Sequence, residues 1–182
     1  MSGAAVTPPN WPSGPSCHGW LALDARGAWR LRGEKISHAG LLAFLDAHYG
    51  ADDRGRWFVQ NGAQRVFVDL EAAPLILRLH PEGALLAHTG KAVIPRAPVL
   101  LDENGNAFLP TSDGPGMIDD RDLATFVAAL RCARGDPPGE AALLAMLVGE
   151  MVAALFWQGL AVESCPRADI AQRLGYQSHP AP

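Results

Sequence analysis

Hydrophobic positions along the chain alternate between two spacings, and each change falls at a glycine, a proline or an acidic turn. Trp20 to Leu23 and Ala28 to Leu31 are short runs on either side of Asp24-Ala25-Arg26-Gly27, the pattern of strand, turn and strand. Past Gly33 the spacing lengthens. Leu41, Leu42, Phe44 and Leu45 recur at helical intervals after Ile36-Ser37, which predicts a helix whose first turn the Ser37 hydroxyl caps and which ends near Tyr49-Gly50. Arg56 to Gln60 and Gln64 to Leu70 are strands around Asn61-Gly62, the strongest hairpin signal in the chain. Pro74 to His80 and Ala84 to Thr89 form a second hairpin across Pro81-Glu82-Gly83. A three-residue loop there sets Leu77 opposite Ala87 and Leu79 opposite Leu85. Leu75, Leu77, Leu79, Leu85 and Ala87 then share a core face, while Arg78, His80 and His88 share the other with Ile76 and Leu86.

Ala92 to Ile94, Pro98 to Leu101 and Asn106 to Leu109 extend the sheet, their prolines favouring edges or strand ends. A second helix is predicted from Asp119 to about Arg131, with Leu123, Phe126, Val127 and Leu130 on one stripe. Asp119 is its cap, and Asp120 and Asp122 lie at the positive end of the helix dipole. After the Gly135 to Gly139 break, Glu140 to Leu160 is nearly all apolar and reads as one long helix, and Pro166 to Leu174 as a short final one. Ala141, Ala145, Gly149 and Ala153 give that long helix a stripe of small side chains, with Leu144, Leu147, Val148, Met151 and Leu155 beside it. Small stripes permit close helix approach. A bilayer span takes about 20 apolar residues without charge; Glu150 interrupts this one, and no basic flank orients it. The segment is therefore expected as a core helix or as a homodimer interface through Ala145, Gly149 and Ala153, with Glu150 on a partner or an aqueous face.

One unit occurs twice in this pattern. Asp24-x-x-Gly27 leads through Trp29 to Ile36, Leu41, Phe44 and Leu45; Asp102-x-x-Gly105 leads through Phe108 to Ile118, Leu123, Phe126 and Val127 at the same offsets. The second copy carries an insertion, Thr111 to Gly116. The expected architecture is α+β, a mostly antiparallel sheet with two repeated strand-helix motifs and a C-terminal helical segment. Its expected parts are an irregular arm (1–19), a first lobe (20–96), a second, divergent lobe (97–134), C-terminal helices (138–176) and a tail (177–182).

Composition narrows the function. The 182 residues carry 15 basic and 19 acidic side chains, a net charge of −4, which disfavours a polyanion-binding surface. Three widely spaced cysteines, Cys17, Cys132 and Cys165, fit neither a disulfide scaffold nor a zinc knuckle. With no basic residue and no continuous apolar run in the first twenty positions, the expected location is a reducing, bacterial-type cytoplasm.

The familiar catalytic patterns do not form. No Gly-x-Ser-x-Gly elbow occurs, and Ser112-Asp113-Gly114-Pro115-Gly116 lacks the lysine of a phosphate loop. Asp102 to Asn106 lacks the distal glutamate of a calcium loop. His80 and His88 share a face but lie four residues apart, roughly 13 Å along a strand, too far to share a metal alone. Cys17-His18 belongs to the arm, and His38 and His48 to a helix surface. Asp52-Asp53 and Asp119, Asp120 and Asp122 read as turn and cap. Arg30-x-Arg32 and Arg54-x-Arg56 each neighbour a tryptophan, but interleaved acids argue against base stacking. No cofactor, metal, nucleic acid or membrane partner is expected.

Gly27-x-Trp29, Gly33-x-x-Ile36 and the following helix resemble the opening of an uncharacterised bacterial family, the domain of unknown function 1285. Trp57-Phe58-Val59, Val66-Phe67-Val68 and Glu71-Ala72-Ala73-Pro74 resemble its next block, and the match covers roughly Trp20 to Arg131. Where that family has Thr-Pro-Val-Glu-Lys, this chain has Asn61-Gly62-Ala63-Gln64-Arg65, so its acidic position is Gln64. The resemblance implies an α+β fold with repeated motifs and a role in signalling. The expected function is accordingly a non-enzymatic ligand-sensing or regulatory module, binding a small molecule or a protein in a concavity between its repeats and pairing as a homodimer. Trp29, Trp57, Arg65, Arg78, His80 and His88 are its expected contact residues, as exposed groups on a sheet. Two alternatives stand beside it: an enzyme pairing His80 or His88 with a distant carboxylate, and a structural dimerisation scaffold.

Overall fold

The computed structural model of the protein describes residues 11–150 and 153–182. The first ten residues of the expected arm, and Met151 of the expected long helix, lie outside them. The chain divides into two compact units: one runs to Pro74 and is completed by Gly175–Pro182, and the other is Leu75–Leu174.

Unit one contains β1 (Ser16–Leu23), β2 (Trp29–Leu31), β3 (Glu34–Lys35), α1 (Ala39–Ala47), β4 (Tyr49–Ala51), β5 (Trp57–Asn61) and β6 (Gln64–Leu70). They form one sheet in the order β3-β2-β1-β6-β5-β4. β1 runs parallel to β6, and the other neighbours are antiparallel. The arm proves shorter than expected, because β1 begins at Ser16 opposite Arg65. A register shift between Cys17 and Leu21, with Gly19 at φ +71, breaks the alternation that would have revealed it. Gln64 ties down the segment before the strand: its Oε1 accepts from Trp11 Nε1 at 2.8 Å, and its Nε2 donates to the Pro12 and Gly14 carbonyls. The cap of α1 is His38 rather than Ser37; its Nδ1 accepts from the Leu41 amide at 3.1 Å.

Unit two contains β7 (Leu75–Leu79), β8 (Leu85–Ala87), β9 (Ala92–Val93), β10 (Val99–Leu101), β11 (Ala107–Thr111), β12 (Gly114–Ile118), α2 (Leu123–Ala128), β13 (Leu130–Cys132), α3 (Glu140–Leu147), β14 (Leu155–Trp157), β15 (Leu160–Ser164) and α4 (Arg167–Leu174). Its sheet runs β13-β14-β15-β10-β11-β12-β7-β8-β9. The hairpin of β7 and β8 has the expected register, Leu77 opposite Ala87 and Leu79 opposite Leu85. It belongs to unit two rather than to a first lobe reaching residue 96, because β7 pairs in parallel with β12. Gly114–Ile118, expected mostly as an insertion, is the strand that provides this pairing.

Both sheets are therefore mixed rather than mostly antiparallel, with parallel pairs β1·β6, β10·β15 and β7·β12. Alternation of apolar residues reports which face a strand buries, not which way its neighbour runs.

The long C-terminal helix is absent. α3 stops at Leu147, where Gly149 takes φ +78, its amide donates to the Met146 carbonyl and the Glu150 amide donates to the Ala145 carbonyl. These two bonds make a Schellman cap. The chain resumes as the hairpin of β14 and β15, turning on Gln158 (φ +50) and Gly159 (φ +80), the geometry of a type I′ turn. Leu155, Trp157 and Val162 are buried by a strand pair, and Glu150 is exposed. Ala145, Gly149 and Ala153 consequently share no stripe: Ala145 is buried in α3, Gly149 is its left-handed cap and Ala153 lies past its end. Gly149→Leu should therefore cost about 1 kcal/mol in chemical denaturation through left-handed strain, without changing the mass in solution. The second predicted helix likewise ends at Ala128, because Leu130–Cys132 pairs with β14.

Candidate functional site

Parallel pairing places two strand ends side by side. In unit two the partners Leu101 and Ser164 close β10 and β15, and the Cys165 amide donates to the Leu101 carbonyl at 2.9 Å. β10 then enters a tight turn. The Asp102 amide donates to the Asn106 carbonyl, the Gly105 amide donates back to the Asp102 carbonyl, and Gly105 takes φ +81. Fully buried Asp102 stiffens the turn by accepting from the Asn104 and Asn106 amides at 3.0 and 2.8 Å. Glu103 projects from it, and its Oε2 accepts from the Arg167 amide at 2.8 Å, capping α4 with a carboxylate. Its own amide and that of Arg167 hold the Glu103 carboxyl below the usual glutamate range.

Around these strand ends lie two adjoining hollows. One, of about 510 Å³, is lined by Glu103, Leu147, Val148, Gly149, Ser164 and Pro166. The other, of about 590 Å³, shares Ser164 and Pro166 and adds Cys165, Asp169, Gln172 and Arg173. Arg173 is anchored by Glu163 at 2.8 Å. The Cys165 sulfur lies 3.7 Å from the Pro166 carbonyl, and burial pushes its thiol up, so it stays protonated at neutral pH. The groove thus offers an apolar wall of Leu147, Val148 and Pro166 beside ionised Glu103, with Val148 72% exposed. It can hold a small amphipathic molecule.

Unit one has a hollow at the corresponding strand ends. Leu23 and Leu70 are partners closing β1 and β6, and the Glu71 amide donates to the Leu23 carbonyl at 3.1 Å. Asp24 turns the chain as Asp102 does, with its Oδ1 accepting from the Arg26 and Ala28 amides. A cavity of about 210 Å³ lies there between Asp24, Arg30, Asp69, Glu71 and His179.

A second polar cluster stands where β7 meets the start of α2. The carboxylate of Asp119, with no exposed surface, accepts from Arg121 Nε at 2.8 Å and Nη2 at 2.5 Å, and from the Arg121 amide at 3.0 Å. Burial opposes its ionisation, but these Arg121 bonds outweigh it and bring the carboxyl down to about 2. Asp122 accepts from Arg78 Nε at 2.6 Å and from the Leu79 amide at 2.9 Å, and the Arg78 bond holds it below the ordinary aspartate range. The cap expected at Asp119 closes the 3₁₀ turn Asp120–Asp122 that leads into α2, and α2 itself has Asp122 at its N-cap with no side-chain cap bond. Asp122 is tied to β7 and Asp119 to Arg121.

The six expected contact residues divide between the two units. Trp29, Trp57 and Arg65 belong to unit one, and Arg78, His80 and His88 to unit two. Trp29 and Trp57 are interior: Trp29 Nε1 donates to Asp46 at 2.8 Å, and both rings pack on Tyr49 at 5.0 and 4.8 Å. Arg65 is exposed over Phe58 at 4.6 Å, on the other face of β5 because Trp57 and Phe58 are consecutive. Arg78 is paired with Asp122, and His80 is exposed beside a 3₁₀ turn. His88 is partly exposed but turns its ring nitrogens inward. Its Nδ1 accepts from the Ile76 amide at 3.3 Å, and burial pulls its pKa down to about 4. The periodicity that placed tryptophans on strands could not say which face α1 covers. The sequence does not show the groove because Glu103 reads only as a turn residue and Glu140 to Leu160 as one helix, with Ala161 to Cys165 assigned to no element; Cys165-Pro166 before an amphipathic run is the available signal.

Among the described residues no group of histidine, cysteine, aspartate and glutamate could hold a metal ion, and no helix is long and apolar enough to cross a membrane.

Two units, each organised around a parallel strand pair with a hollow at its carboxyl end, define an α+β protein with surface hollows at those strand ends. Over residues 4–181 the chain matches the DUF2944 family model, described as a protein of unknown function (DUF2946), and it belongs to that family. Its fold is also similar to two solved DUF1285 family structures. The protein from Silicibacter pomeroyi DSS-3 is 11% identical with a TM-score of 0.53, over 81% of this chain and 80% of that one. The one from Shewanella baltica OS155 is 18% identical with a TM-score of 0.44, over 59% and 89%. The resemblance read from Gly27-x-Trp29 to Pro74 is to that same DUF1285 family. No curated protein matches the chain.

Proposed function

We propose that this protein is a regulatory, signalling-type module that senses a small ligand in the groove of unit two. The observation that carries the reading is the pair of hollows, about 510 and 590 Å³, joined at Ser164 and Pro166 at the carboxyl end of a parallel strand pair. In open sheets with parallel strands, that end is where ligands are characteristically held, and these volumes lie in the range that encloses small molecules.

The two units also read as copies of one building block. β3-β2-β1-β6-β5-β4 and β12-β11-β10-β15-β14-β13 trace the same order, with a helix after the third strand and the first and last strands parallel. Asp24 and Asp102 occupy the same turn in each. Duplication followed by divergence supplies a module with one open groove and one modified one.

A thermal-shift screen of metabolites tests the reading. A ligand of the groove should raise the melting temperature by about 2 °C or more in the wild type and leave Ser164→Trp, whose indole fills the junction, unmoved. Hits that stabilise Ser164→Trp equally, or a screen without hits, would sink it.

A further inference from the structure

The last eight residues of the chain lie on unit one as an extended peptide ligand would. The Gln177 amide donates to the Gly55 carbonyl at 2.9 Å, and the Leu70 amide donates to the Ser178 carbonyl at 2.8 Å. Tyr176 is buried and its hydroxyl donates to the Ala72 carbonyl at 2.8 Å. Pro180 is buried and its carbonyl accepts from His18 Nδ1 at 2.9 Å, while Gln177 Nε2 donates to the Arg54 carbonyl at 3.0 Å. Gln177 and His179 face outward. Two anchors four positions apart, with main-chain bonds between them, are the elements of peptide recognition: the backbone bonds hold, and the buried side chains select.

The receptor side is shaped for this segment. Gly55 takes φ +73, and a Cβ there would sit 2.2 Å from the Gly175 carbonyl oxygen, so any side chain would push the peptide away. The His18 ring stacks on Phe67 at 4.4 Å, which aims its Nδ1–H at the Pro180 carbonyl. A free tail needs none of these features.

We propose that this groove is a peptide-binding site, closed in a single chain by the chain's own end and filled in a pair by the end of a second copy. The segment seated in it identifies the occupant: a second copy presents the same Tyr176 and Pro180 in the same order. Gly175, at φ +74, is the pivot where the chain leaves α4. Exchange is reciprocal, each copy lending its tail, so the product is a closed dimer rather than a fibre. The tether gives the tail a local concentration on the order of millimolar. The wild type is therefore a monomer at micromolar concentration, and pairing follows when the tail is displaced or the protein is concentrated. This inference is independent of the ligand groove in unit two.

Complementation between full-length variants tests it. Tyr176→Ala with Pro180→Ala removes the anchors and leaves the groove; Gly55→Val blocks the groove and leaves the tail. Each alone should be monomeric by light scattering, and an equimolar mixture should form a 1:1 heterodimer. A fluorescent peptide with the sequence of residues 175–182 should bind the anchorless variant at least tenfold more tightly than it binds the wild type. Cooperative melting certifies each variant, and Gly55→Ala replaces Gly55→Val if the latter does not fold. A folded anchorless variant that ignores the peptide overturns the proposal, and so does one that binds the peptide while the mixture stays monomeric.

Discussion

Stability of the wild type should fall by about 2 kcal/mol as the pH is lowered from 6.5 toward 4, and His88→Asn should remove most of that dependence. His88 has an ordinary pKa of 6.5 in the unfolded chain and about 4 in the fold, because burial disfavours the imidazolium and Nδ1 already accepts from the Ile76 amide. A depressed folded pKa means that the unfolded chain binds the extra proton. The contribution is thus complete above 6.5 and lost as pH falls through the folded value. The full shift is worth about 3 kcal/mol, and solvent at the exposed edge of the residue reduces it. Asparagine keeps an acceptor for the Ile76 amide and carries no titratable group. Three carboxyls frame the measurement. Asp119 and Asp122, held below the usual aspartate value of 3.8, lose their contributions only below that pH. Asp46, which burial raises against the opposing Trp29 bond, gains on acidification and works in the opposite direction. Urea titrations of wild type and His88→Asn at pH 7, 5.5 and 4.5, compared as a difference, isolate the histidine. Parallel loss in both proteins would show that the fold does not depress this imidazole.

Arg121→Ala should lower the urea midpoint at pH 7 by more than the removal of a half-exposed arginine ordinarily does. Its guanidinium is 48% exposed, but the Asp119 carboxylate it holds has no exposure at all. Without Arg121 a buried carboxylate loses its only cationic partner of the three bonds described above, the situation in which breaking an ion pair is expensive. Asp119→Asn in the same chain should restore about half of the loss, because an amide carries no charge to strand and can still accept from the Arg121-position amide. The two substitutions are therefore non-additive, and a double-mutant cycle by chemical denaturation should show the double variant less destabilised than the sum of the two single ones. Additive costs would mean that Asp119 is as well solvated as an ordinary surface carboxylate.

Local chemistry was legible wherever one side chain decides one backbone geometry. The three-residue loop at Pro81 to Gly83 set the register of β7 and β8, and Asp119 caps the 3₁₀ turn that leads into α2. Asp24 and Asp102 announced their turns. Gly149 shows the limit: the same residue suits a small-residue helix stripe or a left-handed cap, and the periodicity of Glu140 to Leu160 contains both readings. The outcome rested on whether Leu155, Trp157 and Val162 could be buried by pairing with β10 and β13, strands remote in sequence. The candidate site was harder still, since Glu103 and Ser164 are neighbours only because β10 and β15 run in parallel.

The amino-acid sequence alone determined the α+β class, the likeness to DUF1285 proteins, the turns and the apolar faces of single strands, because these depend on residues within one turn or one hairpin of each other. Tertiary structure decided strand direction, the end of α3, the burial of Trp29 and Trp57, the groove at Ser164 and the return of Gly175–Pro182 to unit one. Each of those depends on which distant segment supplies a hydrogen-bonding edge or an apolar surface, and a pattern along the chain carries no record of that choice.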